Sequence, residues 1–251
     1  MGSSYFAFKR FTIQQDKSAM KVTTDACLFG AWVAGKARHA NKAINNVLDI
    51  GTGTGLLSLM LAQELVPLNS KVEIDAVELD KDAAEQAKNN MAASGWIDNL
   101  FVMPGDAKYM AYTFAKEYDV IVSNPPFYEA ELESGNLRIN QARHSAGLLL
   151  IELLTIIKDL LQADGRFYLL LPFKRYEEII ALIYESDLSI TNLVLVRQST
   201  KHGYFRVMLE GRKGTTGGDP DPLEEEISIW DAKQQYTPEF VGLLKEYYLH
   251  L

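Results

Sequence analysis

The chain has almost no cysteine and no long apolar run. Cys27 is the single cysteine among 251 residues, so an intramolecular disulfide and a cysteine-based zinc site are both excluded. Its apolar neighbours favour a packed thiol over a reactive one. No segment approaches the length of a membrane-spanning helix, and the N-terminus lacks an apolar stretch followed by a cleavage site. We therefore expect a cytoplasmic protein in a reducing compartment, with no membrane partner.

Basic residues are also scarce, because 25 lysines and arginines face 33 acidic residues and leave a net charge of −8. Such a balance argues against a protein that coats nucleic acid generally. The distribution is uneven, however: residues 1–48 hold seven basic residues and only two acids. One basic surface on an acidic body is compatible with a specific polyanionic partner, although a solvated lysine-rich face explains the same charges.

From Val47 onward, short apolar runs alternate with segments of helical pattern. This alternation predicts an α/β fold: a doubly wound, mostly parallel, seven-stranded sheet of Rossmann-like type with an antiparallel pair at one edge. The predicted strands are 47–50, 72–77, 100–103, 119–123, 165–171, 189–196 and 204–210, and the predicted helices include 81–94, 148–161 and 174–185.

Both ends of the chain add elements to this core. Residues 6–15 alternate apolar and polar side chains, which predicts a strand or hairpin. Thr23 or Thr24 suits the N-cap of a following helix, and Thr237 with Pro238 suits the start of a last one. The whole chain is interpreted as one domain: a basic N-terminal extension (1–43), a core (44–213), and a flexible acidic linker with a C-terminal strand and helix (214–251). Residues 36–46 are expected to be a connection, and 227–230 an added edge strand.

Three glycines follow the first core strand at alternate positions, Gly51, Gly53 and Gly55. Glycine accepts positive φ and lets a ligand approach the backbone closely. A strand, a glycine turn and a helix together point free N–H groups at a negative group. The spacing differs from the dinucleotide pattern GxGxxG, so NAD, FAD, another nucleotide or no ligand at all remain open on this motif alone.

Polar side chains follow the next three strands at the points where those strands end: Glu78, Asp106 and Asn124. Each residue alone is weak evidence for a site. Glu78 is equally explained as an acid on the surface, and Asp106 as a turn residue after Gly105. In open α/β sheets, however, ligands lie beyond the carboxyl ends of the strands. The combination therefore predicts a binding site at this edge.

The series Asp49-Ile-Gly-Thr-Gly-Thr-Gly, Val77-Glu78-Leu79-Asp80, Gly105-Asp106-Ala107 and Asn124-Pro125-Pro126-Phe127 resembles the class I S-adenosylmethionine-dependent methyltransferases. The resemblance implies S-adenosylmethionine as cofactor and no metal. It implies that the glycine turn lies against the methionine and ribose portion and that Glu78 accepts from the two ribose hydroxyls. Leu79 then packs beside the adenine, and Asp106 accepts from its amino group. The implied cofactor-binding residues in these motifs are Asp49, Gly51, Gly53, Gly55, Glu78, Leu79, Asp106, Ala107 and Asn124.

In that family, the tetrapeptide Asn124, Pro125, Pro126 and Phe127 marks methylation of a planar nitrogen, and these four are the expected catalytic residues. The lone pair of such a nitrogen is conjugated into a ring or carbonyl. The Asn124 side-chain oxygen and the Pro125 carbonyl can accept its two hydrogens, which directs the lone pair toward the methyl donor. Phe127 and Tyr128 offer flat faces for a base to stack on.

Further segments resemble the tRNA1(Val) adenine-37 N6-methyltransferase family. They are Phe11-Thr12-Ile13 with residues 19–25, Gln141-Ala142-Arg143, and Gln235-Tyr236-Thr237 before an aromatic C-terminal helix. The resemblance adds Lys21 and Thr24 to the implied cofactor-binding residues. It implies transfer of a methyl group to N6 of an adenine in a tRNA anticodon loop, with Tyr128, Arg143, Lys201 and Arg206 as candidate substrate contacts.

Alternatives remain open at this point. Enzymes that methylate guanine-N2 of rRNA or a protein glutamine share the tetrapeptide, so the tetrapeptide alone does not decide the substrate. A methyltransferase-like RNA-binding module without activity is a further possibility, although such a module has no need of Glu78, Asp106 and Asn124. The acidic run 224–226 is not expected from the family. A monomer is compatible with the sequence, which does not fix the oligomeric state.

Overall fold

The computed structural model describes residues 3–18, 21–109, 116–125, 150–214 and 221–251. Within these residues, strands and helices alternate through the core as the sequence predicts. The strands are β1 (Tyr5–Ala7), β2 (Thr12–Gln14), β3 (Asn46–Ile50), β4 (Glu73–Glu78), β5 (Leu100–Pro104), β6 (Tyr118–Ser123), β7 (Leu161–Pro172), β8 (Leu188–Ser199), β9 (Tyr204–Lys213) and β10 (Leu223–Trp230). The helices are α1 (Thr24–Arg38), α2 (Leu56–Leu65), α3 (Lys81–Ala92), α4 (150–160), α5 (Tyr176–Glu185) and α6 (Pro238–Leu244).

Eight of these strands form one sheet in the order β10-β8-β9-β7-β6-β3-β4-β5. Neighbours from β7 through β6, β3 and β4 to β5 are parallel, whereas β9 runs antiparallel to both β7 and β8. The predicted α/β fold and the antiparallel pair are confirmed. The C-terminal segment supplies an eighth strand, since β10 pairs with β8 in parallel and covers the edge of the antiparallel pair.

Both faces of the sheet are covered, because successive side chains of a strand point to opposite faces. In β6, Val120 and Val122 belong to the core under α1 and α2, whereas Ile121 belongs to the core under α4 and α5. Nine of the ten residues of α2 are buried. This is why its sequence is apolar on every side rather than along one stripe.

The N-terminal extension forms the predicted hairpin, in which β1 pairs with β2. Phe11 and Ile13 are buried in the same core as α1 and α2. Thr23 is the N-cap of α1, with its side chain accepting from the Ala26 N–H at 3.4 Å. Cys27 is fully buried in this helix, and burial raises the pKa of its thiol to about 12. The predicted packed thiol is confirmed.

The C-terminal helix α6 closes the same side of the molecule. Its N-cap Thr237 accepts from the Phe240 N–H at 3.3 Å and donates to the Ser228 carbonyl at 2.6 Å. Tyr236 stacks between Trp230 and Phe240, with ring centroids 4.0 and 4.5 Å apart. The aromatic residues of this segment therefore serve packing.

Two boundaries in particular differ from the sequence prediction. Helix α1 continues to Arg38, three residues into the predicted connection, because Lys36 and Arg38 suit the negative end of the helix dipole as its basic last turn. Strand β7 begins at Leu161, which pairs with Tyr118 before a register shift. The beginning of the predicted helix 148–161 and the glycine-rich residues 215–220 lie outside the described residues. The division of the chain into extension, core and C-terminal segment stays a prediction.

Candidate active site

The glycine turn after β3 has a backbone that only glycine adopts easily. Gly51, Gly53 and Gly55 have φ values of 72°, 57° and 84°, in the left-handed region. A Cβ atom added at Gly51 or Gly53 would meet open space. The Gly51 and Thr52 N–H groups donate to the Val77 carbonyl at 2.9 and 3.0 Å. The turn is therefore fixed against β4 while its outer side stays open to a ligand.

Asp49 supports this turn from beneath. It is fully buried, and its Oδ2 accepts from the hydroxyls of Thr52 at 2.6 Å and Ser58 at 2.7 Å. Its Oδ1 has no hydrogen-bond partner among the described residues. Burial raises the pKa of this carboxyl group to about 6, against the lowering effect of the two hydroxyls. An acid with one unsatisfied buried oxygen is costly to keep, which favours a function at this position beyond packing.

Glu78 joins the ends of three strands. Its Oε2 accepts from the Gly53 N–H at 2.8 Å and its Oε1 from the Asp80 N–H at 2.9 Å. Its carbonyl accepts from the Gly105 N–H at 2.8 Å, which ties the end of β5 to the end of β4. Each carboxylate oxygen keeps lone-pair capacity for a further donor. The side chain is thus oriented before any ligand arrives.

Leu79 and Asp106 lie on the far side of Glu78 from the glycine turn. Leu79, directly after the end of β4, is 71% exposed, which is unusual for a large apolar side chain. Asp106 Oδ1 accepts from the Lys108 N–H at 3.0 Å, and the Lys108 ammonium pairs with Glu152 at 2.5 Å. This end of the site therefore offers an apolar surface beside an acceptor.

The opposite wall begins at the end of β6. The Ser123 hydroxyl donates to the Ile50 carbonyl at 2.7 Å and fixes β6 beside the start of the glycine turn. Asn124 and Pro125 follow directly, and both are half-buried. Parallel pairing of β3 with β6 and β4 therefore brings the amide of Asn124, the glycines and Glu78 to one edge.

A cavity of about 960 Å³ connects these groups. Nine of the sequence-predicted site residues line it: Lys21, Gly51, Gly53, Glu78, Leu79, Asp106, Ala107, Asn124 and Pro125. Asp49, Thr24 and Gly55 are not among the lining residues: Asp49 and Gly55 are buried, whereas Thr24, at the start of α1, is exposed. Pro126, Phe127, Tyr128 and Arg143 lie outside the described residues.

The two remaining predicted substrate contacts are not in the cavity wall. Lys201 is exposed in the turn between β8 and β9. Arg206, in β9, donates its Nε–H to Asp25 Oδ2 at 2.8 Å. That ion pair ties β9 to the first turn of α1, a contact between residues 181 positions apart. A role for either residue in substrate binding stays a prediction.

The polar contacts that hold the N-terminal segment over the cavity were not predicted from the sequence. Ser18, Val22 and Thr23 line it together with Lys21. Gln86 of α3 accepts from the N–H groups of Lys17 and Ser18 at 2.9 and 3.0 Å, and donates to Asp16 at 2.7 Å. Gln86 is only 4% exposed. The sequence signal for these contacts is that Gln86, a polar residue, lies on the face of α3 that carries its buried alanines.

Helix α4 was also missed as part of the site. Its residues Leu150, Leu153 and Ile156 give the cavity an apolar wall, and Glu152 lies beside them. In the described part of the chain, no group of three or more His, Cys, Asp or Glu side chains is arranged to hold a metal ion. No described helix combines the length and apolarity needed to cross a bilayer.

Comparison with known proteins agrees with this geometry. Residues 37–175 match the family model described as the methyltransferase small domain. A Cytophaga hutchinsonii protein named tRNA1(Val) (adenine(37)-N6)-methyltransferase is 41% identical over 255 residues, with 100% of both chains covered. A Bacteroides thetaiotaomicron protein of the same name is 36% identical over 251 residues, again with 100% of both covered.

Among solved structures, an Agrobacterium tumefaciens protein described as a predicted O-methyltransferase superposes with a TM-score of 0.63. It is 15% identical, and the match covers 88% of this chain and 96% of that one, so it shows the shared fold. The resemblance stated from the sequence motifs is confirmed by the full-length relatives. The chain belongs to the methyltransferase small domain family and, within it, to the tRNA1(Val) (adenine(37)-N6)-methyltransferase family.

Proposed function

We propose that this protein transfers a methyl group from S-adenosylmethionine to N6 of adenine-37 in tRNA1(Val). The observation that carries the proposal is the position of Asn124 and Pro125 at the end of β6, in the wall of the cavity that Glu78 and the glycine turn also line. The names of the full-length relatives supply the nucleotide and the tRNA. A tRNA substrate favours the cytoplasm as the place of action.

The residues of the cavity fit S-adenosylmethionine. The open space beside Gly51 and Gly53 leaves room for a ligand against the backbone. Glu78 presents two oriented carboxylate oxygens, suited to a pair of ribose hydroxyls. Exposed Leu79 and Asp106 suit a flat adenine with an amino group. When bound, the cofactor supplies an electrophilic methyl group on a positively charged sulfur.

The chain's own contribution to the reaction is positioning. The exocyclic amine of adenine is a weak nucleophile because its lone pair is conjugated into the ring. The side-chain oxygen of Asn124 and the carbonyl oxygen of Pro125 are suited to accept its two N–H groups, which orients the lone pair and favours a pyramidal nitrogen. Ser123 holds the strand end in place through its bond to Ile50. Phe127 and Tyr128 are proposed to stack on the base.

A labelling experiment tests the proposal. The protein is incubated with methyl-labelled S-adenosylmethionine and, separately, with unmodified tRNA1(Val) transcript, rRNA and a release-factor protein. We expect label in tRNA1(Val) at N6 of adenine-37, and none in a transcript with guanine at position 37. Label in rRNA or protein but not in tRNA would refute the proposal in favour of guanine-N2 or glutamine methylation. Label in no substrate would favour a non-catalytic RNA-binding module.

Cofactor binding is expected to weaken at acidic pH because of Asp49. The pKa of this buried group is raised to about 6, so its carboxylate prevails at pH 7 and its neutral acid at pH 5. A nearby carboxylate favours the positively charged sulfonium. The dissociation constant of the cofactor, measured by calorimetry from pH 7 to pH 5, should rise below pH 6 by up to about tenfold per pH unit.

The matched control for this pH effect is Asp49→Asn, which keeps the shape of the side chain and removes the titration. Its dissociation constant should exceed that of the wild type at pH 7 and change little down to pH 5. A wild-type constant that is flat over this range would rule out the proposed role of the Asp49 charge. The same conclusion would follow if the dissociation constant changed equally with pH in the wild type and in Asp49→Asn.

A further inference from the structure

The sheet edge that carries Asn124 continues on the side away from the cofactor cavity. Strand β7 lies next to β6, with Leu169 level with Ser123, and it extends three residues further to Pro172. The turn Phe173–Arg175 follows at that edge. Arg206 of β9 pairs with Pro172, so the turn 200–203 between β8 and β9 also lies at this edge.

The strand order gives the approximate distance of these turns from Asn124. Neighbouring strands are about 4.8 Å apart. The turn Phe173–Arg175 is one strand away from Asn124, and the turn 200–203 is two to three strands away. Their lateral offset from Asn124 across the sheet is therefore roughly 5–15 Å, and both turns lie a few residues further along the strand direction. Glu78 and Asp106 lie in the opposite direction, at the ends of β4 and β5.

Five basic residues belong to these two turns and the strand ends beside them, and three of them have structural partners. Arg175 pairs with Glu178 at 2.6 Å, Arg197 with Glu226 at 3.1 Å and Arg206 with Asp25 at 2.8 Å. The other two are Lys174 and Lys201. Both are exposed, and no ion pair between described residues includes either ammonium group. Two exposed lysines without an ion pair to a described residue thus remain on this surface.

An aromatic floor fixes the two turns to one another. The Phe173 ring packs against Tyr176 at 5.6 Å and against Tyr204 at 5.2 Å between centroids. The Arg197 guanidinium lies 5.5 Å from the centre of the Tyr204 ring, and the Tyr204 hydroxyl donates to Glu226. Glu226 of the unexpected acidic run therefore supports the floor by neutralising Arg197. The two turns that carry the lysines are thus packed against one another, which lowers the entropic cost of holding a partner.

We propose that the turns Phe173–Arg175 and 200–203 form the track on which the RNA backbone beside the target adenine lies, with Lys174 and Lys201 as its phosphate contacts. This inference rests on the proposed function. The glycine turn, Glu78 and Asp106 would hold the cofactor in the β3–β5 half of the edge, which leaves the β7–β9–β8 half of the described sheet for a polynucleotide whose base reaches Asn124. Single-stranded nucleic acid is bound by cations next to aromatic side chains, which is the composition of this surface.

The test compares two double variants that change the net charge equally. Lys174→Glu/Lys201→Glu alters the proposed track. Lys71→Glu/Lys88→Glu alters two exposed lysines elsewhere, one just before β4 at the opposite edge and one on α3. Binding of unmodified tRNA1(Val) transcript is measured by fluorescence anisotropy from 50 to 200 mM salt, and S-adenosylmethionine binding by calorimetry reports on the fold.

For the track variant we expect tRNA binding at least about tenfold weaker at 0.1 M salt, and a salt dependence reduced by about one to two in log–log slope. The control variant should bind tRNA within about twofold of the wild type. Both should bind the cofactor as the wild type does. An equal loss of tRNA affinity in the two variants would show that only the net charge matters, and it would overturn the inference.

Failure of this inference is separable from failure of the proposed function. If the wild type methylates the transcript and the track variant binds it as tightly as the control does, the track is wrong and the activity stands. If the wild type puts label into rRNA or protein and not into tRNA, the proposed function is wrong and the tRNA track is overturned with it.

Discussion

Asn124→Ala is expected to reduce methyl transfer to tRNA by at least about a hundredfold. The alanine side chain has no oxygen to accept an N–H of the adenine amine, so the lone pair is no longer directed at the methyl donor. The cofactor dissociation constant should stay within a few-fold of wild type, because Glu78, Asp106 and the glycine turn are unchanged. Single-turnover methylation and calorimetry measure the two effects separately.

Two further variants make this expectation sharper. Asn124→Asp keeps oxygen acceptors at the same position, so it should retain part of the turnover that alanine loses. Asn45→Ala changes an exposed asparagine at the opposite edge of the sheet and should behave as wild type. Near-normal turnover of Asn124→Ala would remove the residue from the reaction. Equal loss in the alanine and aspartate variants would instead point to its amide N–H groups.

The sequence was informative about Asn124, Glu78 and the glycines because of how parallel strands converge. A strand can be identified from a short apolar run, and every parallel strand of a doubly wound sheet ends at the same edge. Polar residues that follow such runs are thus brought together without any knowledge of their contacts. The cavity is lined by residues from the ends of β3, β4, β5 and β6, as this reasoning requires.

Other parts of the site depend on contacts between distant positions that no local pattern reports. Gln86 binds residues 16–18 through hydrogen bonds that span about 70 positions. Arg206 is predicted from the sequence as a substrate contact, and nothing local indicates its ion pair with Asp25 at 2.8 Å. Strand β10 pairs beside β8 although β9 is nearer in sequence. Its acids Glu225 and Glu226 bind Asn192 and Arg197 of β8, which explains an acidic run that sequence alone left without a role.

Glu78→Ala is expected to weaken cofactor binding by roughly tenfold to hundredfold, the loss of one charged hydrogen bond of about 1.5–3 kcal/mol. The structure adds a second reason. In the wild type, Glu78 accepts hydrogen bonds from the N–H groups of Gly53 and Asp80, and the alanine variant leaves both groups without this acceptor. The glycine turn would lose one of its fixed points, so the upper part of this range is the better expectation. Calorimetry with S-adenosylmethionine measures the change.

Glu78→Gln separates the two contributions. The glutamine oxygen can still accept from Gly53 or Asp80, so the turn keeps part of its support, but the charge that favours the ribose hydroxyls is gone. If orientation of the turn dominates, Glu78→Gln should bind the cofactor much better than Glu78→Ala; if the charged bonds dominate, the two should be similarly weak. Glu73→Gln, at the other end of β4 and paired there with Lys116 at 2.8 Å, is the matched control and should bind as wild type. A dissociation constant unchanged in Glu78→Ala would mean that the cofactor does not contact the end of β4, and the cavity would need a different ligand.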